Sequence, residues 1–352
     1  MLRDFQLVMA ALFDEFGLEA RNGLVFRMLR TSLILMAVIW LGVGPSHAQN
    51  RKVRVAMPGY TIAGLSFLTA KFNGYYASEG LDVELIAMRA PTANLAVLSG
   101  SVEFSTVPLV GLTTALRGGA LKLLMVHFDK PQHSLFVKNE LQNVRALRGK
   151  KIAVSGPSVI DDLLLREYLA ANGVDAGREV NILSIGAADT RVTSLISGAV
   201  DAAVIIAPFT FVARDAGFRE LVAFKDQGFL LPSGGIVARD EFLRAEPNLV
   251  ERFVRGSMMG FIHSRDNRSG AIKVLTKSLK IDEQVATKVY DASRPTMTAD
   301  GALPEDAQKK MAAFVAKTSG LKEIPPLDKV FDFSFVRKAN AALQAKGWHP
   351  GS

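Results

Sequence analysis

One short unit is written twice in this chain. Leu98-Ser99-Gly100-Ser101-Val102-Glu103 is matched much later by Ile196-Ser197-Gly198-Ala199-Val200-Asp201, and each copy is followed by an apolar run and then a proline, Pro108 or Pro208. Each part has a physical role: the glycine ends a helix in a left-handed cap, the valine re-enters a core, the acid tips a strand, and the proline suits the first turn of the next helix. Taken singly, these glycines and acids are ordinary helix-to-strand joints. Their recurrence predicts two similar α/β halves.

The surrounding pattern agrees. Val53–Met57 reads as a strand, Leu65–Ser78 as a helix, Leu81–Ala87 as a strand, Thr92–Leu98 as a helix, Glu103–Thr106 as a strand, Leu109–Arg117 as a helix and Lys122–Phe128 as a strand. After the polar stretch Asn139–Gly149 the alternation resumes, with strands at Lys151–Ser155, Val180–Ser184, Ala202–Ile206 and Leu221–Phe224, and helices at Asp161–Ala171, Arg191–Ser197 and Phe209–Asp215. Strands alternating with helices predict βαβ units and mainly parallel sheets. A returning extended segment, Gly234–Arg239, leads into an almost purely helical tail, where Val250, Val254, Met258 and Phe261 are spaced for one buried face, as are Val285, Val289 and Ala292. A chain that builds one lobe, crosses to a second and returns needs two crossovers, and Lys130–Val137 and Leu231–Val237 are the candidates. Lobe one is then expected over 51–130 and 238–347, and lobe two over 131–237, with a hinge and a cleft between them.

The N-terminus bears on compartment. Arg27 and Arg30 precede an apolar run, Leu33–Val43, followed by Pro45-Ser46-His47-Ala48, which is the order of a secretory signal with cleavage before Gln49. A membrane anchor is the competing reading, but the run is shorter than the roughly 20 residues a spanning helix needs. Met1–Arg27 carries Asp4, Asp14, Glu15 and Glu19 where a leader should be basic, which makes Met28 the better start and 1–48 an extension plus signal. The net charge of +8 suits an anionic ligand or an acidic docking partner. Nucleic acid is not expected, because the Lys and Arg residues are dispersed. The chain has 352 residues and no cysteine, so thiolate catalysis, disulfides and Cys-ligated metal are excluded. No metal-spaced histidine pair, Walker loop or nucleophile elbow occurs either, so an enzyme is not expected.

Several stretches carry a family resemblance: Phe72-Asn73-Gly74-Tyr75-Tyr76-Ala77-Ser78-Glu79-Gly80-Leu81-Asp82-Val83, Leu98–Thr106, Leu147-Arg148-Gly149-Lys150-Lys151-Ile152-Ala153-Val154-Ser155 and Ser197–Phe211. Over most of Val53–Val237 the chain resembles the nitrate/sulfonate/taurine and thiamine-precursor group of periplasmic solute-binding proteins that serve ABC importers. The resemblance implies a type II periplasmic-binding-protein fold of two doubly wound α/β lobes, a monomer without cofactor, capture of a small molecule between the lobes, and delivery to an inner-membrane permease. A related fungal group makes a thiamine pyrimidine with a cysteine-rich motif that this chain lacks. Sensor domains of transcription regulators share the architecture, but they carry a DNA-binding helix-turn-helix where this chain opens with an export signal.

In open α/β sheets, ligands bind beyond the carboxyl ends of strands, where helix N-termini present unpaired N–H groups. That rule selects five loops: Pro58–Ile62 with Tyr60 and Thr61, Arg89–Asn94 with Thr92, Thr106–Pro108, Ser155–Ser158 and Ala207–Phe209. Arg89 offers a bidentate fork to an anion; its alternative is a solvated loop arginine. Thr92, Thr106, Ser155 and Ser158 either donate to an oxyanion or cap helices. Tyr60 and Phe209 either sandwich a planar group or are ordinary partly buried aromatics. His127 either bonds ligand near the hinge or is structural, with His133 and His263 leaning further to the structural side. Asp189 either receives an amine or caps a helix. Two ligand classes stay open: a small organic anion of sulfonate or carboxylate type, and a neutral or amine-bearing heteroaromatic such as a pyrimidine.

Overall fold

The computed structural model describes residues 50–350; the expected signal, cleavage point and start at Met28 lie outside them. The described chain forms two five-stranded mixed sheets. The first contains β1 (Arg51–Met57), β2 (Leu81–Ala87), β3 (Phe104–Ser105), β4 (Leu121–Phe128) and β10 (Ser233–Arg239), in the order β2-β1-β3-β10-β4. The second contains β5 (His133–Val137), β6 (Lys151–Val154), β7 (Asn181–Ser184), β8 (Ala202–Ile206) and β9 (Arg219–Ala223), in the order β7-β6-β8-β5-β9. β1 runs parallel to β2 and β3, and β6 runs parallel to β7 and β8. The strand contributed after each crossing, β5 or β10, pairs antiparallel with its neighbours. This is the architecture expected of a type II periplasmic-binding-protein fold.

The two copies of the repeated unit do the same work. Gly100 and Gly198 have φ of +76° and +77°, the left-handed cap that only glycine adopts without strain. Val102 and Val200 are buried behind them. Glu103 accepts the Arg54 amide at 2.7 Å and Asp201 accepts the Lys151 amide at 3.0 Å, so each acid ties down an N–H of the neighbouring parallel strand. Each unit also opens a helix after its strand, α4 (Pro108–Leu116) in the first half and α7 (Phe209–Asp215) in the second; the remaining helices of these halves are α1 (Leu65–Phe72), α2 (Tyr75–Ser78), α3 (Ala90–Leu98), α5 (Ile160–Ala171) and α6 (Ala188–Ile196). The single helix expected over Leu65–Ser78 is broken between α1 and α2 at Gly74, whose φ is +72°.

The crossovers are shorter than expected. His133–Val137 is a full strand of the second sheet and Ser233–Arg239 a full strand of the first, so the linking segments are only residues 129–132 and 227–232, joined by the Leu231 amide donating to Asp129 O at 3.1 Å. The return to the first sheet therefore begins at Ser233 rather than after Val237. Gly235 makes that return possible: a Cβ there would run into the Met125 carbonyl of β4, and one on Gly234 would run into the carbonyl of Ala63.

After β10 come α8 (Asp240–Ala245), α9 (Pro247–Asp266), α10 (Arg268–Leu279), α11 (Glu283–Ser293), α12 (Glu305–Thr318) and α13 (Ser334–Ala345). On α9 the face Val250, Val254, Met258 and Phe261 is fully buried, as its spacing predicts. On α11 the buried face is Ala286, Val289 and Tyr290, while Ala292 faces solvent. The tail also covers the outer edge of the first sheet, since Leu123 and Phe128 of β4 bridge to Phe331 and Met297, which hides a strand edge open to pairing.

Candidate functional site

The parallel strands of the two sheets end facing one another, and a cavity of about 340 Å³ lies between them. Four helices begin at its wall. α3 follows β2 through Met88 and Arg89, and α4 follows β3 through Thr106 and Val107; from the other lobe α5 follows β6 through Ser155 and Val159, and α6 follows β7 through Gly186 and Ala187. None of the four has a side chain bonded into its N-cap position. The positive ends of four helix dipoles thus meet at one space; α3 and α4 have no acid in their first turns, while the Asp162 and Thr190 amides of α5 and α6 are taken by Asp161 and Asp189, so the α3 and α4 side favours negative charge most. Pro91 and Pro108 sit in the first turns of α3 and α4, where a missing N–H costs no hydrogen bond.

Apolar side chains, among them Met88, Val107, Leu109, Val159, Ile160 and Ile206, form most of the wall. The polar members are Thr61, Arg89, Thr106, His133, Ser155, Arg191 and Ser233. Arg89 is exposed and reaches across the cleft, its Nη2 donating to the Ser155 carbonyl at 3.4 Å. The Ile62 amide makes a second crossing bond, to Ala207 O at 3.3 Å. Ser155 is fixed from behind by Asp161, whose carboxylate accepts both the Ser155 amide and its hydroxyl at 2.7 Å.

Of the ten residues selected from sequence, Thr61, Arg89, Thr106 and Ser155 line this cavity. The other six do not. Tyr60 is 49% exposed beside it, and Thr92 is exposed one residue beyond Pro91. Ser158 takes a left-handed φ of 59° and gives its amide to Asp162 at 2.8 Å, so it shapes the loop from outside the wall. Asp189 is exposed in the first turn of α6, where its carboxylate accepts the Thr190 amide; the N-cap is Ala187. Phe209 packs against the core. His127 is wholly buried between Phe67 and Phe261, with ring centroids 4.7 and 5.6 Å away. Burial lowers its pKa to about 3, so it is a neutral core residue.

His133 and Arg191 were not selected, and both are in the wall. His133 opens β5, is 7% exposed, and has an Nδ1 without a hydrogen-bond partner. Burial lowers its pKa to about 4, with Asp161 opposing the shift and Arg191 adding to it. Arg191 is nearly inaccessible and donates from Nε to Val204 O at 2.7 Å and from Nη1 to Gly186 O, with Nη2 3.5 Å from Asp161 Oδ2. Asn94, whose carbonyl accepts the Ser105 hydroxyl and whose Nδ2 reaches Val107 O at 3.4 Å, braces the loop into α4. Sequence offered no signal for Arg191 or His133, because nothing local marks a helical arginine or a strand histidine as facing a distant loop.

Two mixed α/β sheets joined by two crossing segments, with a cavity at the carboxyl ends of their strands, define a protein of the type II periplasmic-binding-protein fold. The chain belongs to the NMT1/THI5 like family, whose model matches residues 63–268. It is 23% identical over 326 residues to a Bacillus subtilis (strain 168) protein named "Putative aliphatic sulfonates-binding protein", a match covering 87% of this chain and 96% of the other. It is 26% identical over 212 residues to the riboflavin-binding protein RibY of Chloroflexus aurantiacus, covering 57% and 58%. Its fold is similar to that of the periplasmic nitrate-binding protein NrtA from Synechocystis PCC 6803, with a TM-score of 0.67 at 15% identity over 84% of this chain and 89% of that one.

Proposed function

We propose that this protein is the solute-binding component of an ABC importer and captures a small organic anion, of sulfonate or carboxylate type, between its two lobes. The observation that carries this reading is the convergence of four helix N-termini, those of α3 and α4 free of acids and of side-chain caps, and of Arg89 on one apolar-walled cavity. The dipoles and the guanidinium favour an anionic head group, and the apolar wall favours an organic body over a bare inorganic ion. The sulfonate-binding and nitrate-binding proteins to which the chain is similar support an anion. Export to the periplasm, a permease as partner and action as a monomer belong to the same reading. It also makes the protein a receptor that catalyses nothing, in keeping with a chain devoid of cysteine.

The heteroaromatic reading has the riboflavin-binding relative in its favour. Against it, Tyr60, Phe209 and Asp189, the residues that would stack on or bond such a ring, all stand outside the cavity wall. The experiment is a thermal-shift titration of the purified protein with alkyl and aryl sulfonates, carboxylates, nitrate, pyrimidines and riboflavin. A ligand that binds only the folded state raises the melting temperature by mass action. Stabilisation by an organic anion is expected; stabilisation confined to riboflavin or a pyrimidine would overturn the anion reading.

A further inference from the structure

Two arginines stand in the cavity wall, and their surroundings differ. Arg191, from the second lobe, is buried with its guanidinium beside the carboxylate of Asp161, a residue with no solvent exposure. Asp161 lies behind the wall, fixed by the Ser155 amide and hydroxyl. Asp189 adds further negative charge near Arg191 from the solvent side. The positive charge of Arg191 is thus balanced before any ligand arrives. Arg89, from the first lobe, has the Ser155 carbonyl as its one side-chain hydrogen-bond partner and no acidic partner among the described residues. The helices behind the wall repeat this asymmetry: α5 and α6 carry Asp161, Asp162 and Asp189 in their first turns, whereas α3 and α4 carry no acid there.

Resting on the receptor reading above, we infer that Asp161 sets the valence of the ligand: by neutralising Arg191 it leaves Arg89 as the one uncompensated side-chain charge of the cavity, so the site takes a monoanion and rejects a dianion. A monoanion meets one balancing charge, seated toward the bare N-termini of α3 and α4. A dianion brings a second charge into a space with low dielectric and no further cation, and unbalanced charge in such a site is costly. Asp161 touches no ligand in this account. It is a specificity-positioning residue that acts through Arg191.

The test compares n-butyl sulfate with n-butyl phosphate at pH 8, where the two tetrahedral esters share a tail and differ in charge. Calorimetric titration of the unaltered protein should give at least about tenfold tighter binding of the sulfate, the order expected for one unit charge in a partly screened site. In Asp161→Asn, which keeps an oxygen for Ser155, affinity for the phosphate should rise and the ratio should shrink by about tenfold. Damage to the fold cannot raise affinity, so that gain separates a charge effect from a structural one. An unchanged ratio in a variant that still binds the sulfate overturns the role of Asp161 alone. Failure of the unaltered protein to bind either ester sinks the anion-receptor reading and this inference with it, and tighter binding of the phosphate by the unaltered protein overturns the valence rule. Should Asp161→Asn not fold, Arg191→Gln serves in its place: it leaves Asp161 unbalanced and should weaken n-butyl sulfate binding about tenfold or more, and an unchanged affinity overturns the inference.

Discussion

Replacement of Arg89 by alanine tests the electrostatics of the site most sharply. In the unliganded protein its one polar contact is the 3.4 Å bond to the Ser155 carbonyl, long for an N–H···O pair and partly exposed, so its loss should leave thermal stability nearly unchanged. Toward an anionic ligand the same side chain can donate two charge-assisted bonds. A hydrogen bond to a charged group contributes about 1.5–3 kcal/mol, and the lower figure applies because Arg89 is exposed. A loss of about 1.5 kcal/mol is roughly tenfold in Kd. The assay is calorimetric titration of Arg89→Ala with whichever organic anion stabilises the unaltered protein, at low and at high salt. Screening over about a Debye length weakens exposed charge pairs, so the unaltered protein should lose affinity with salt more steeply than the variant. Arg89→Lys should recover part of the binding, since it restores the charge without the planar fork. Equal affinities and equal salt dependence in Arg89→Ala would refute the assignment of Arg89 as counter-charge.

Other residues give independent checks. His127 and His133, whose pKa values are lowered to about 3 and about 4 by burial, stay neutral in the folded protein while the unfolded chain takes up protons near pH 6.5; stability should therefore be full above that pH and fall as pH drops from there toward 4, by up to about 1.4 kcal/mol per unit for each group. Chemical denaturation across that range should show a shallower decline in His127→Leu, and an undiminished slope would mean that His127 is not a source. Burial disfavours the charged form of Asp201, but bonds from Lys138 Nζ at 2.8 Å and the Lys151 amide outweigh it and hold its pKa below the usual 3.8. Asp201→Asn should then lower the melting temperature at neutral pH, with the deficit vanishing as pH falls below that value; a deficit persisting in acid would contradict the charge-based account. Gly235→Ala should destabilise by about 2 kcal/mol or more, because its Cβ meets the Met125 carbonyl of a packed sheet rather than a movable side-chain end; a neutral melting shift would show that β10 and β4 can separate.

Local chemistry made most of the fold legible. Ala202–Ile206 and Phe209–Asp215 have the bounds that their β-branched run and flanking turn residues predict, and both copies of the Gly-x-Val-acid unit form the same cap and strand tip. What sequence misplaced lies at the crossings: Lys130–Val137 and Leu231–Val237 read as crossovers, yet most of each is sheet, with β5 paired antiparallel to β8 and β9 and β10 paired antiparallel to β3 and β4. Pairing of that kind is set by tertiary contacts and leaves no local mark.

The site divides along the same line. Loops named from the strand-end rule supplied Thr61, Arg89, Thr106 and Ser155, since a residue just past a strand's carboxyl end is directed to the cleft by topology. Tyr60, Thr92 and Ser158 are each next to a wall residue, Thr61, Pro91 and Val159, yet do not line the cavity, because side-chain direction depends on local backbone such as the helical turn at Thr92 and the left-handed φ of Ser158. Asp161 was legible only as the start of a helix. Its hydrogen bonds to Ser155 and its pairing with Arg191, some thirty residues on, appear only when α5 and α6 are seen beside each other.

The central claim, capture of an organic anion in the cavity between the two sheets, is tested most directly by calorimetric titration of the protein and of Thr106→Trp, whose large side chain would fill the space at the start of α4, with the anion found in the thermal-shift panel. The account predicts one-to-one binding by the unaltered protein and loss of binding in a variant that still melts cooperatively; full binding by that variant would place the ligand elsewhere and contradict it.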